Sequence, residues 1–346
     1  MTQLRFLVGG LMAALLLTPA ASRAQTQSST RALSIDEALR LGQGNIPQLV
    51  RARAEQQVVE SRKAGAKLWL QQNPYATVMV GRRTETTSTP VAAGVQYQVH
   101  IEQALEIAGQ RWTRLAVVAS QTAAAKAQTA LAQVESRALL WTTYMQASLA
   151  DERVRVARKR EEIAEQLLRS AQARMELGAT GGLEVNLAQV ERGRVRGERT
   201  QAEVQLTNRH AALGILCGVA PGTPLLLTSS HTAPPQLATT DVSLPSLLAV
   251  AEAHRADLAA VRLQEQALAA EVSKLRREAV PNLVLSFDYQ RDLPGQEFWG
   301  GTVGLTLPVW NRNQGPLAQV HAAELQRQAE ERLLRDSLHD GLTGLS

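Results

Sequence analysis

Histidine, cysteine and carboxylate side chains are the residues of this chain that could bind a metal or act in catalysis. The six histidines are scattered along the sequence, and Cys217 is the only cysteine. No histidine has a cysteine at the spacing that zinc sites use. The sequence also contains no Gly-rich phosphate loop, no G-x-S-x-G turn and no H-E-x-x-H helix. We therefore expect neither an enzyme nor a bound cofactor or metal.

One histidine does lie beside a carboxylate in a regular pattern. In the segment GVQYQVHIEQ, residues 94–103, apolar and polar side chains alternate strictly, which predicts a β-strand with one polar face. His100 and Glu102 share that face with Gln96 and Gln98. The pair could contact passing cations, but a water-facing surface that needs only to be polar explains the same residues.

The first 24 residues have the layout of a secretory signal peptide. Arg5 precedes an apolar run over residues 7–17, and residues 22–24 resemble a cleavage site. The run is shorter than a transmembrane helix requires, although an uncleaved anchor helix is the alternative. We expect an exported chain that begins near Gln25 and has no internal disulfide, because it has one cysteine.

The net charge of +5 is modest for 346 residues. Basic residues are interleaved with glutamates along the predicted helices, which is typical of a solvated helix surface. We therefore expect no nucleic-acid partner.

Residues 25–216 form the first of two predicted units. After helices that open at a capping box formed by Ser34 and Glu37, a β-hairpin is expected at about 75–104. Strong helix formers then dominate residues 109–177, a helix about 100 Å long. A glycine-rich turn joins it to a second helix over 183–216, which makes an antiparallel helical hairpin.

Apolar residues recur along the first long helix at the three-and-four spacing of a coiled-coil seam. The predicted seam residues are Leu131, Val134, Ala138, Trp141, Met145, Leu149, Val156 and Ile163.

Residues 217–241 are rich in Pro, Thr and Ser and predict a linker, after which the chain begins again. The second unit, 242–346, opens with VSLPSLLAVAEAHRADL, which aligns with LSIDEALRLGQGNIPQL of the first unit. A second β-hairpin is expected at about 283–309, followed by the start of another long helix. Each unit is thus helix, strand, strand, long helix.

The four strands alternate in the same way, with one apolar and one polar face. Four strands cannot close a barrel, so we expect copies of the chain to pool their strands, with lipid outside and a water-filled pore inside. The residues predicted to face the pore are Gln96, Gln98, His100, Glu102, Ser286, Asp288, Gln290, Thr302 and Thr306.

Tryptophans also occur near the predicted junctions of strands and helices, at Trp69, Trp112, Trp299 and Trp310. An aromatic girdle at a membrane interface and core packing of the junctions both explain them.

Four segments of this sequence resemble the outer-membrane efflux family of TolC-type channel proteins, and most closely its heavy-metal branch of CzcC/CusC-like members. They are LSIDEALRL with NIPQL near the start, QALEIAGQR at 103–111, RMELGATGGLEVNLAQV at 174–190, and LPVWNRNQGPLAQVHAAEL at 307–325.

The resemblance implies an α+β membrane protein of the outer membrane. A homotrimer would combine a shared β-barrel with a periplasmic α-helical barrel, docked through an adaptor protein onto an inner-membrane RND-type pump. It would conduct substrate passively, and similarity to the metal branch favours divalent heavy-metal cations. The alternative from another class is a periplasmic coiled-coil adaptor or scaffold, which explains the helical hairpin but not the repeated strands.

In the family, the tip of the helical hairpin contacts the adaptor, and its pattern is Arg, three residues, Gly. By resemblance the tip here consists of Arg174, Leu177, Gly178 and Glu184. The alternative is that Gly178 merely ends a helix, as glycine often does.

The resemblance also predicts a longer second unit than the 346 residues contain. The sequence stops at Ser346, about 30 residues into the second long helix by its helical pattern. We therefore expect an incomplete second repeat, so that a trimer would offer three hairpin tips rather than six.

Overall fold

The computed structural model describes residues 31–83, 94–228, 244–292 and 296–343. The predicted signal peptide, most of the predicted linker and parts of both hairpin loops lie outside these ranges.

Helices make up most of the described chain. They are α1 (Ile35–Gly42), α2 (Pro47–Ala66), α3 (Gln110–Glu176), α4 (Gly182–Cys217), α5 (Leu244–His254), α6 (Ala256–Glu278) and α7 (Gln314–Thr343). The strands are β1 (Arg31–Leu33), β2 (Tyr75–Arg83), β3 (Gly94–Leu105), β4 (Leu225–Leu227), β5 (Leu283–Arg291) and β6 (Glu297–Leu305).

Within the described ranges, no helix combines the length and apolar character that crossing a membrane requires. The α+β fold class is confirmed: the chain is mostly helical with a few strands.

The four long strands form one antiparallel sheet in the order β2-β3-β5-β6. Two hairpins, β2–β3 and β5–β6, meet along β3 and β5, in a register that runs from Tyr97 opposite Arg291 to Leu105 opposite Leu283. A two-stranded hairpin is barely stable alone, so this pairing supplies the neighbours that each hairpin lacks.

The α3–α4 hairpin packs through a stripe of small residues. Ala150, Ala157 and Ala164 recur every seven residues on the buried side of α3, with Val154 and Leu168 at the intervening seam positions. Alanine at one seam position of every heptad allows two helices to approach closely, because no long side chain separates the backbones.

The predicted seam was therefore wrong for packing within the chain. Trp141, Leu149, Val156 and Ile163 are each about half exposed on a neighbouring side of α3. Apolar residues with the same helical period form two adjacent stripes on α3. The prediction chose the stripe with the larger side chains, which is the exposed one.

A compact core surrounds the short parallel pair of β1 and β4, about halfway along α3. Leu33, Leu225 and Leu213 are buried there against Tyr144 of α3. The Tyr144 hydroxyl lies 2.8 Å from the carbonyl oxygen of Thr228 and 3.1 Å from that of Leu33, so it fixes both strands to the helix. Burial raises the pKa of this hydroxyl, which keeps it in the donating form.

Candidate functional site

The four-stranded sheet carries its predicted polar residues on one face. In the observed register Gln98 lies opposite Gln290, and Ser286 lies between Glu102 on one side and Thr302 on the other. All the predicted pore-facing residues belong to this face except Thr306, which follows the last residue of β6.

Side chains from the two hairpins contact each other on the polar face. His100 Nδ1 lies 2.8 Å from Asp288 Oδ1, and His100 Nε2 lies 3.6 Å from Glu102 Oε2. The Gln96 amide also donates a hydrogen bond to the Asp292 carboxylate across the same strands. Among the described residues, no group of three or more His, Cys, Asp and Glu is arranged to hold a metal ion.

The opposite face is mostly apolar and exposed, with the charged Arg82, Arg291 and Glu297 at the end near the hairpin loops. Val95 and Val303 lie on this face, and Val303 keeps 70% of its surface exposed. Three aromatic rings lie together near its hairpin-loop end: the centroid of Tyr289 lies 4.3 Å from that of Trp299 and 6.2 Å from that of Tyr97. A sheet face of this kind is stable in water only when something apolar covers it.

Two aromatic residues depart from the predicted segregation: Tyr75, which lies opposite Glu102, and Phe298. Phe298 lies opposite Gln290, so it belongs to the polar face, and its ring lies against Gly300. A Cβ at Gly300 would come within 2.6 Å of this ring. This position of Phe298 could be predicted from the sequence, because Phe298 and Trp299 are adjacent and must point to opposite faces of a strand.

At the far end of the helical hairpin, the structure brings the four predicted tip residues together. Gly178 has a φ of 71°, and the N–H groups of Gly178 and Ala179 bond to the carbonyls of Met175 and Arg174. This is a Schellman cap, which requires the left-handed conformation that glycine adopts without strain.

Two side-chain features distinguish the tip from a plain helix end. Arg174 Nη1 lies 3.8 Å from Glu184 Oε2, so an ion pair joins α3 to α4 across the turn. Leu177 projects outward with 84% of its surface exposed.

Behind the ion pair is a cleft of about 280 Å³, lined by Leu167 and Leu187. Beside it, a hydrogen bond from Arg194 lowers the pKa of the Glu191 carboxyl and keeps it ionised.

Side-chain hydrogen bonds join the sheet to the helices. The buried Gln110, first residue of α3, accepts from the N–H of Ala108 at 2.8 Å and donates to Asn282 at 3.0 Å. Because Asn282 precedes β5, this side chain connects both hairpins to α3. Near the start of α7, Gln314 accepts from the N–H of Arg312 at 2.6 Å in the same way.

The four predicted interfacial tryptophans are all largely exposed, which excludes core packing within the described chain. Trp69, Trp112 and Trp310 lie close to the ends of strands, and Trp299 lies within β6.

No protein-family model matches the sequence, and neither does any curated protein. Solved structures do match the fold. A membrane protein from Pseudomonas aeruginosa superposes with a TM-score of 0.67 at 17% identity, over 90% of this chain and 76% of that one. The chain has the fold of outer-membrane channel proteins. CusC, whose structures concern transmembrane channel formation, matches with a TM-score of 0.66 at 13% identity, over 89% of this chain and 73% of that one. The outer membrane protein VceC from Vibrio cholerae matches with a TM-score of 0.64 at 16% identity, over 88% of this chain and 76% of that one.

Proposed function

We propose that this protein is the outer-membrane channel component of a tripartite efflux system. It conducts substrate passively from a pump and adaptor to the exterior and performs no covalent chemistry. Three copies contribute four strands each to one barrel, and their long helices extend into the periplasm.

The observation that carries this proposal is the sheet with two exposed faces of opposite polarity. Strands β2, β5 and β6 each have nine residues, which is about 30 Å of extended chain and typical of a tilted membrane strand. A soluble domain would bury its apolar face against a second layer. Here lipid covers the face of Val95 and Val303, and water contacts the face of Gln98 and Ser286.

Two further features support a homotrimer. The sheet has only four strands, fewer than the roughly eight that a closed barrel requires. The exposed apolar stripe on α3, formed by Trp141, Leu149, Val156 and Ile163, is about 33 Å long at the helical rise and is suited to contact a neighbouring copy.

The hairpin tip is the proposed contact with the periplasmic adaptor, which links the channel to an inner-membrane RND-type pump. Leu177 supplies an exposed apolar anchor, and the Arg174–Glu184 ion pair holds the turn in shape around it. An apolar core surrounded by a polar rim is the usual composition of a protein–protein contact.

The proposed cargo is divalent heavy-metal cations. Glu102 and Asp288 place carboxylates on the water-facing side of the sheet, and threefold repetition would form them into rings around the pore. Such rings attract cations without binding them tightly, which suits a conduit.

Fractionation with cross-linking of the expressed chain tests this proposal. A cross-linked trimer in outer-membrane fractions that resists mild detergent is the expected result. A soluble periplasmic monomer or dimer would overturn the channel proposal and favour a coiled-coil adaptor.

A further inference from the structure

An arginine lies between two exposed tryptophans where the sheet meets the helices. The guanidinium carbon of Arg111, in the first turn of α3, lies 4.2 Å from the ring centroid of Trp69 and 5.3 Å from that of Trp112. The two rings remain 76% and 68% exposed, although each is large and apolar. The cation–π contact is itself favourable, and a cluster of large exposed rings on a protein surface commonly marks an interaction site.

The positive charge at this point has no acidic partner among the described residues. Arg111 donates through Nε to the carbonyl oxygen of Lys67 at 3.4 Å, so its two terminal nitrogens are not used in this bond. The neighbouring Arg114 differs, since it is paired with the Glu106 carboxylate. Lys67, whose carbonyl oxygen accepts from Arg111, has an exposed side chain that makes no ion pair in the described part of the chain.

The surroundings of this cluster are apolar and continue onto the sheet. Leu68 and Leu70 flank Trp69 in the sequence and are exposed, as is Ile107, two residues after the end of β3. Within β3, Ile101 is an exposed residue of the apolar face. The cluster therefore follows the end of the strand whose apolar face the proposed function assigns to lipid, where the boundary between hydrocarbon and water would lie.

We propose that Trp69, Arg111, Trp112 and Lys67 form a binding site for the headgroup phosphate of an anionic phospholipid in the periplasmic leaflet. This inference rests on the proposed function, because it requires the sheet to span the membrane. Guanidinium nitrogens bind phosphate oxygens in pairs, and tryptophan rings favour the headgroup level of a bilayer. Two uncompensated positive charges select an anionic headgroup over a zwitterionic one.

Tryptophan fluorescence tests the site directly in vesicles. Replacing Trp141, Trp299 and Trp310 with Phe leaves Trp69 and Trp112 as the reporters. The protein is inserted into phosphatidylcholine vesicles that contain either brominated phosphatidylglycerol or the same amount of brominated phosphatidylcholine, since bromine quenches indole only on contact. We expect stronger quenching by the brominated phosphatidylglycerol.

The variant Arg111→Gln is expected to lower that preference by about fivefold, the factor expected for one basic residue at an anionic surface. Arg111→Lys should retain most of it, because it keeps the charge. The matched control is Arg196→Gln on α4, an exposed arginine with the same charge change far from the sheet, and it should leave the preference unchanged. Lys67→Gln, at an exposed position, is a second variant should Arg111→Gln fail to fold.

The outcomes separate the site from the channel proposal. Equal quenching by the two lipids, or an unchanged preference in both Arg111→Gln and Lys67→Gln, would overturn the headgroup site and leave the channel intact. Absence of quenching by either lipid would show that the sheet does not enter the bilayer, and would overturn both.

Discussion

His100 and Asp288 meet at 2.8 Å across β3 and β5, where the hairpin of the first half of the chain joins that of the second. The contact lies on the polar face, with Glu102 two residues further along β3. Because the two residues are 188 positions apart, one surface of the sheet becomes continuous only when both halves fold together. The proposed pore lining thus depends on the pairing of β3 with β5.

A charge on the apolar face should disturb membrane assembly far more than the same charge on the polar face. Val99 and Gln98 are neighbours in β3 and belong to opposite faces. Val99→Asp puts a carboxylate into hydrocarbon, at a cost below the about 2–4 kcal/mol of a basic residue near the bilayer midplane, whereas Gln98→Asp adds a charge in water and costs little. The yield of detergent-resistant trimer in outer membranes measures the difference. Equal yields of the two variants would refute the face assignment.

The cap at the hairpin tip should depend on the left-handed conformation of one glycine. Gly178→Ala places a Cβ at a φ of 71° and is expected to destabilise the cap by about 1 kcal/mol. Amide hydrogen exchange of the residues around the turn is the readout, with faster exchange expected. Gly193→Ala is the control, because this glycine lies within α4 with open space around it and alanine favours helices. Faster exchange at the turn in the control would show that the effect is not specific to the cap.

The packing of α1 against α3 should be disturbed by a single methyl group added at Gly42. A Cβ at Gly42 would lie 2.2 Å from Leu140 Cδ1 and 3.0 Å from its Cγ, so the Leu140 side chain would have to move. Gly42→Ala is expected to lower the free energy of unfolding by about 1–3 kcal/mol. Leu140→Ala removes the clash at the cost of a cavity, so urea unfolding of the double variant should show less destabilisation than the sum of the singles. Simple additivity would mean that the two residues do not contact.

Ionisation of Glu265, on α6, should destabilise the packing of α6 against α7. Burial, with the nearby Glu331 carboxylate, raises the pKa of Glu265 above its ordinary value of 4.5. A carboxyl whose pKa is higher in the folded state favours folding while protonated, and that contribution is lost as pH rises from the unfolded pKa through the folded one. Glu265→Gln should therefore be more stable than the parent at neutral pH, and the gain should disappear below about pH 4.

Urea unfolding at the two pH values measures this difference. Glu162→Gln, an exposed position on α3, is the control for removing one negative charge. A gain of equal size at both pH values would contradict the assigned cause.

The long strands and helices could be predicted from the sequence because the patterns that indicate them are local. Strict alternation marked β3, and the proline-free run of helix formers marked α3, which extends from Gln110 to Glu176. The cap at Ser34 was predicted from one spacing, and its Oγ accepts from the N–H of Glu37 at 3.2 Å.

The sequence could not predict contacts that join distant segments. The parallel pair of Arg31–Leu33 with Leu225–Leu227 involves three residues on each side, too short for a period. Nothing local indicates that the hydroxyl of Tyr144 fixes these strands. The choice of seam on α3 likewise depends on which stripe α4 covers, and a single helix with two apolar stripes does not reveal it.

The most direct test of the sheet as a wall between lipid and water is cysteine labelling in intact outer membranes. Gln98→Cys and Val99→Cys place a thiol on either face of the same strand, and the native Cys217 is 2% exposed, so it contributes little background. We expect a water-soluble maleimide to label the thiol introduced at Gln98 rapidly and the one introduced at Val99 hardly at all. Equal labelling of the two, or faster labelling at Val99, would contradict the channel account.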